Sequence, residues 1–215
     1  MIDFLFIFLG GYLLGSIPTA YLIVKWKSNI DIRNAGSGNV GGFNAYGVTG
    51  SVNTGILVGV LDGLKGLAAV LLSLLLPEQS YWLSAVVLFG AMMGHIYPIW
   101  LQFKGGRGLA TTAGGMFILG FSFTLVWCIM WVIGRVFKME IVNSNLLAII
   151  LTPIILNVLP WNFVYRGIVL IVRPEEFILF SCIISVILVL GHRDVIVKIF
   201  QKSNKIEENT INNSL

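Results

Sequence analysis

Charge and hydrophobicity are segregated along this chain to a degree that leaves few folds open. Long apolar stretches occupy residues 2–24, 55–76, 81–103 and 109–134, and most Lys and Arg lie in the connections between them. Two further stretches, 142–159 and 177–191, are shorter, and 164–172 is too short to span a bilayer alone. A helix needs about 20 apolar residues to cross the hydrocarbon core. In lipid only helices and closed barrels satisfy their own backbone. The segments predict an all-α integral membrane protein with about seven transmembrane or partly spanning helices. Composition supports this: 57% of residues are hydrophobic and 11% charged, against about 45–50% and about 25% in soluble domains. That balance excludes an ordinary soluble enzyme, a disordered chain and a secreted disulfide scaffold.

The connections set an expected orientation. Residues 2–24 have no Lys or Arg before them, so a cleaved signal peptide is not indicated. Lys25 and Lys27 follow that run, which puts the N-terminus outside by the positive-inside rule. Residues 25–52 and 103–108 carry cations, whereas 77–80 carry only Glu78. Arg193, Lys198, Lys202 and Lys205 place the C-terminus inside. An odd number of crossings is then required: seven, or five full spans with two partial ones. Residues 1–202 read as one multi-span domain, and 203–215 as a polar, disordered tail. The net charge of +4 is scattered between apolar runs, unlike the continuous basic face that nucleic acid needs. Basic loops beside a bilayer attract membrane lipids and phosphates instead. Cys128 and Cys182 lie in apolar runs without metal-ligand spacing, so they read as small hydrophobic residues.

Four polar constellations stand out. Gly36, Ser37, Gly38, Asn39, Val40, Gly41, Gly42, Phe43 and Asn44 contain a literal G-x-G-x-x-G, with Asp62 further on. No strand precedes the glycines and Asp62 falls in an apolar helix, so a dinucleotide fingerprint is refused. What survives is a turn whose N–H groups could form an anion nest, or a loop whose glycines only permit tight turns. Asp62 and Lys65 stand three residues apart inside an apolar helix. They form either a self-neutralising pair or a wall of a polar site. His95 precedes Lys104, Gly105, Gly106, Arg107 and Gly108, and an apolar helix follows. Cations and free N–H groups at a helix start suit a phosphate. His192, Arg193 and Asp194 close the last span, where a histidine can move protons or sit as a structural residue.

Together these stretches resemble the bacterial membrane glycerol-3-phosphate acyltransferases that use acyl phosphate, the PlsY family, over nearly the whole chain. Gly15 to Pro18, Asp31 to Arg33 and Gly36 to Gly41 look like the first motif and its lead-in. Asp62 with Lys65 and Gly66 matches a second-span pattern, and Gly94 to Thr111 resembles the second motif closely. The resemblance implies transfer of a fatty acyl group from acyl phosphate to glycerol 3-phosphate, giving lysophosphatidic acid and phosphate. It implies a bacterial inner-membrane protein with a cytoplasmic-facing site and no metal or cofactor. By that resemblance His192, Lys104 and Asp62 are the expected catalytic residues. Ser37, Gly38, Asn39, Gly41, Asn44, Lys65, His95, Gly105, Gly106, Arg107 and Ser144 are the expected phosphate- and substrate-binding residues, with Asn145 a second polar candidate beside Ser144.

The chain also departs from the family's pattern. Phe43 stands for a Thr, Gly47 for an Arg and Val195 for an Asn. A diverged homologue with weak, altered or no activity is therefore the second reading. The third, a small transporter or channel using Asp62 and Lys65, fits poorly, because the glycine-rich turns converge on one membrane face.

Overall fold

The structure is a computed structural model that describes residues 4–197 and 201; the tail expected at 203–215 lies outside them. The helices among the described residues include, in order, α1 (Phe4–Gly15), α2 (Thr19–Ser28), α3 (Gly42–Thr49), α4 (Val52–Ser73), α5 (Tyr81–Ile96), α6 (Leu109–Leu119), α7 (Phe121–Val136), α8 (Ile141–Val158), α9 (Trp161–Val164) and α10 (Pro174–Gly191), and residues 193–197 are helical as well. Short 3-10 turns occur at Ile32–Asn34 and Ile99–Leu101, and no strand occurs among the described residues. Among the described residues, five helical stretches are long and apolar enough to cross a membrane: Phe4–Ser28, Val52–Ser73, Tyr81–Leu101, Ile141–Val158 and Pro174–Gly191.

Two expected spans are interrupted. The single run expected over 109–134 is split into α6 and α7 at Gly120, where the Phe177 ring of α10 packs so closely that a side chain at 120 would collide with it. The first run is broken between Gly15 and Thr19, where Pro18 has no N–H to offer the ladder. The carbonyls freed there are not left bare. Lys65 Nζ reaches from α4 and donates to the Gly15 oxygen at 3.2 Å and the Ile17 oxygen at 2.8 Å.

Close helix crossings come from small residues, as expected where apolar burial does not drive association. On α1, Gly11 and Gly15 lie against the Val87 and Ala91 backbone of α5. Gly90 and Gly94 of α5 lie in turn against α1. The main core gathers Leu88, Met92, Met116, Leu119, Phe177 and Ile184 from α5, α6 and α10. A second cluster, Val24, Ile32, Val40, Ala45, Val58 and Leu101, anchors the connecting loops against α2 and α4. Those loops carry the site. Both cysteines lie exposed on the protein surface, as suits small hydrophobic residues facing lipid.

Candidate active site

The glycine-rich turn after Ile32–Asn34 is organised by one side chain. Buried Asn44 donates to the carbonyls of Ile32 (3.3 Å), Ala35 (3.1 Å) and Asn39 (3.0 Å), and its Oδ1 accepts from the Ser37 N–H at 2.9 Å. Asn44 was expected to touch substrate; it holds the loop instead. The anion nest is also corrected. The N–H of Gly38 goes to Ala35, of Asn39 to the Ser37 hydroxyl, of Val40 to Gly105 and of Gly41 to Asn39. Donors committed within the turn are not available to a phosphate. The second loop is similar: Gly105 N–H goes to the Ile96 oxygen and Gly106 N–H to the His95 oxygen. The Val40–Gly105 hydrogen bond, 3.3 Å, joins the two loops.

Free donors lie one step further on, at two helix starts. Gly41 caps α3 and Gly108 caps α6, and neither helix has a side-chain cap. Their first N–H groups have no intrahelical partner and carry the positive end of the helix dipole. Gly41, Gly42, Gly108, Leu109 and Ala110 all line one cavity of about 640 Å³. Asn39, Asp62, His95, Arg107 and Asn145 give it a polar end, and Phe43, Tyr46, Val52 and Ile56 an apolar wall. A narrower cavity of about 260 Å³ is lined by Arg33, Ser37, Gly38, Lys104, Gly105, Gly106, Arg193 and Asp194. Asn39 lines both, so the two spaces share a border.

Behind the wide cavity sits a buried charge cluster. Asp62 pairs with Lys65 at 2.8 Å, accepts from the Thr19 hydroxyl, and lies 3.6 Å from His95 Nδ1. Lys65 Nζ is 3.4 Å from the same His95 nitrogen. The two residues neutralise each other, and Asp62 also lines the wide cavity.

The remaining expected residues divide. Arg107 lies at the wide cavity and pairs with Asp194 at 2.8 Å. Lys104 is exposed at the narrow one. Ser144 is fully buried, back-bonds to the Glu140 carbonyl at 3.1 Å and packs against Gly134 of α7; its neighbour Asn145 reaches the cavity. His192 lines neither cavity. It is fully buried, its Nδ1 lies 2.7 Å from the Leu188 carbonyl, and its Nε2 has no partner. Burial pushes its pKa down to about 4, partly opposed by the Leu188 contact, so it is neutral at pH 7. At Asp194 burial works to raise the pKa, but the hydrogen bond and charge of Arg107 outweigh it and hold the carboxyl below its ordinary value. The Arg33 hydrogen bond likewise lowers Asp31, leaving that pair charged at the rim.

A family model described as glycerol-3-phosphate acyltransferase matches residues 5–202. The chain belongs to the glycerol-3-phosphate acyltransferase family. A glycerol-3-phosphate acyltransferase of Nitrobacter winogradskyi is 34% identical over 198 residues, covering 91% of this chain and 92% of that relative. One from Synechococcus sp. (strain JA-2-3B'a(2-13)) is 33% identical over 193 residues, 90% of this chain and 89% of that protein. The crystal structure of PlsY, an integral membrane glycerol 3-phosphate acyltransferase, in its glycerol 3-phosphate form matches with a TM-score of 0.75 at 30% identity. That match covers 93% of this chain and 92% of the other. Its lysophosphatidic acid form matches with a TM-score of 0.74 at 28% identity.

Of the three positions where the resemblance implies other residues, only Phe43 lines either cavity. Phe43 lines the wide cavity and is 57% exposed. Gly47 is exposed on α3 with open space where a side chain would be. Val195 follows the Arg107-bound Asp194, and its N–H bonds to the His192 carbonyl at 2.9 Å. Sequence reasoning missed Thr19, the α3 start and the Arg107–Asp194 pair. Only the last had a readable signal, opposite charges at the ends of two loops expected on one face.

Proposed function

We propose that the chain transfers a fatty acyl group from acyl phosphate to the first hydroxyl of glycerol 3-phosphate, releasing lysophosphatidic acid and phosphate on the cytoplasmic face of a bacterial inner membrane. The observation that carries this reading is the wide cavity, in which two uncapped helix starts and Arg107 meet an apolar wall. That is the shape of an amphiphile with a phosphate head. The acyl phosphate head lies at Arg107, Asn39 and the starts of α3 and α6, with its chain along Phe43, Val52 and Ile56. Glycerol 3-phosphate occupies the narrow cavity, its phosphate facing Lys104, Arg33 and Arg193. The substrates meet at the border marked by Asn39.

Acyl phosphate is a mixed anhydride and already activated, so the protein mainly has to hold two anions together. Positioning lowers such a barrier substantially, and donors aimed at the carbonyl and departing phosphate lower it further. The hydroxyl oxygen attacks the acyl carbon and the carbon–oxygen bond to phosphate breaks. The hydroxyl proton passes to a phosphate oxygen. His192 is neutral with a bare Nε2, but it lines neither cavity, so we assign it the packing of the α10 end rather than this transfer. Asp62 holds Lys65 and His95 in place behind the site. The narrow cavity's cations favour Lys104 as the residue on which turnover most depends.

The test is purified protein in detergent with palmitoyl phosphate and glycerol 3-phosphate, following phosphate release and lysophosphatidic acid. Both products should appear in equal amounts. Lys104→Ala should lower the rate by about ten- to a hundredfold, the loss of one charge-assisted contact worth roughly 1.5–3 kcal/mol. Phosphate release without lysophosphatidic acid would refute the acceptor assignment.

A further inference from the structure

Arg107 and Asp194 come from opposite ends of the fold's functional loops. Arg107 precedes α6, and Asp194 follows α10 by three residues. Their contact, guanidinium NH2 to carboxylate Oδ2 at 2.8 Å, falls between the two cavities: Arg107 lines the wide one and Asp194 the narrow one. The arginine side chain is 14% exposed and the aspartate 43%, so the carboxylate approaches from the wet side. Its cationic neighbours on the narrow cavity, Arg33, Lys104 and Arg193, make no hydrogen bond or ion pair with it; the aspartate is committed to Arg107. Arg107 is otherwise poorly held. Its Nε is buried with no hydrogen-bond partner.

From this placement we infer that Asp194 is a positioning residue for Arg107, gripping one guanidinium nitrogen from the narrow cavity so that the remaining donors face the phosphate head of the acyl donor in the wide cavity. A guanidinium presents its donors in a rigid planar fork, so fixing one nitrogen orients the others. A carboxylate behind a charged ligand-binding group is a recurrent way of orienting it. The inference rests on the placement of the acyl phosphate proposed above and gives the His192–Arg193–Asp194 stretch a task beyond closing a helix.

The proposal separates Asp194 from a residue that merely ties the chain down. Its loss should weaken handling of the acyl donor, leave the acceptor nearly untouched, and vanish once Arg107 is gone. We expect Asp194→Asn to raise KM for palmitoyl phosphate about tenfold, within the coupling range of residues in contact, and KM for glycerol 3-phosphate less than twofold. Asp194→Glu should recover most of the loss. Arg107→Ala with Asp194→Asn should be no worse than Arg107→Ala alone. Binding of hexadecylphosphonate, read by thermal shift in detergent, follows the same four variants without turnover, so the inference stays testable if acyl transfer itself is not observed. An additive loss in the double variant, or equal rises in both KM values, overturns the proposal. Tighter phosphonate binding by Asp194→Asn also overturns it, because the carboxylate would then be competing with the ligand.

Discussion

Gly106→Ala tests whether the two loops form one rigid support. A Cβ at 106 would stand 2.6 Å from the Val40 carbonyl oxygen and nearer still to His95 Nε2, where ordinary contact begins at 3.4 Å. Neither neighbour gives easily. Val40 is buried backbone, and His95 is flanked at its other nitrogen by Asp62 and Lys65. Relief therefore requires the loops to part by nearly an ångström. The Val40–Gly105 hydrogen bond, already 3.3 Å, would be lost. Overpacking costs about 1–3 kcal/mol and the hydrogen bond about 0.5–1.5 kcal/mol, for a total of about 1.5–4.5 kcal/mol. The same displacement moves Lys104 and Arg107, and a misplacement of about 1 Å can lower a rate about a hundredfold. Purified Gly106→Ala should thus show a lower unfolding midpoint in detergent and about a hundredfold lower phosphate release. Gly47→Ala is the matched control. Nothing lies within 4 Å of its Cβ, so its stability and turnover should stay near wild type. A folded Gly106→Ala enzyme turning over within threefold of wild type would show that the loops do not act as one support.

Three further outcomes are expected. His192 has a folded-state pKa of about 4 against an ordinary 6.5, so between those values the unfolded chain binds the extra proton. Stability should fall as pH drops from 6.5 toward 4, by about 3 kcal/mol at 1.36 kcal/mol per unit. His192→Gln should flatten that slope in pH-resolved unfolding, and an unchanged slope would place the titration elsewhere. Gly47→Arg with Val195→Asn introduces the two polar groups that the family resemblance implies at these positions. Acyl transfer should rise at least tenfold, by the roughly 1.5–3 kcal/mol of a charged contact, whereas an equally fast wild type would mean that the departures are compensated. Single cysteines at Ser37, Gly47 and Arg193, in a background lacking Cys128 and Cys182, should all resist a membrane-impermeant thiol reagent in intact cells. Labelling of any one from outside would break the shared cytoplasmic face.

Much of the architecture could be read from apolar runs, because lipid punishes a charge or an unpaired backbone group anywhere in a span. The interruptions could not. At Gly120, where α6 ends, the Phe177 ring from α10 fills the space a side chain would take, a contact across nearly sixty positions of sequence that no local pattern records. At the candidate site, cations and glycines pointed to free N–H groups at the start of α6, but not to those at the start of α3. The turn at 36–41 uses its own donors because Asn44 folds it shut, and the open donors moved to the starts of α3 and α6. Ser144 and Asn145 differ by about 100° around α8. Which one meets the cavity depends on how α8 packs on α7, which a polar residue in an apolar run does not reveal.

The lysine that reaches across to the broken first helix has a consequence for how the chain enters its membrane. An unsatisfied carbonyl at Gly15 would cost several kcal/mol in hydrocarbon, and the Lys65 ammonium, although paired with Asp62 on its own helix, is a costly charge there too. Each segment carries what the other lacks. Neither is a comfortable guest in lipid by itself, although they are separated in the chain only by α2, α3 and their loops. The first helical pair should therefore leave the translocon as a partnered unit rather than as two independent spans. Lys65 would then act during biogenesis, as the clasp that lets a kinked first helix settle before the rest of the bundle has been made.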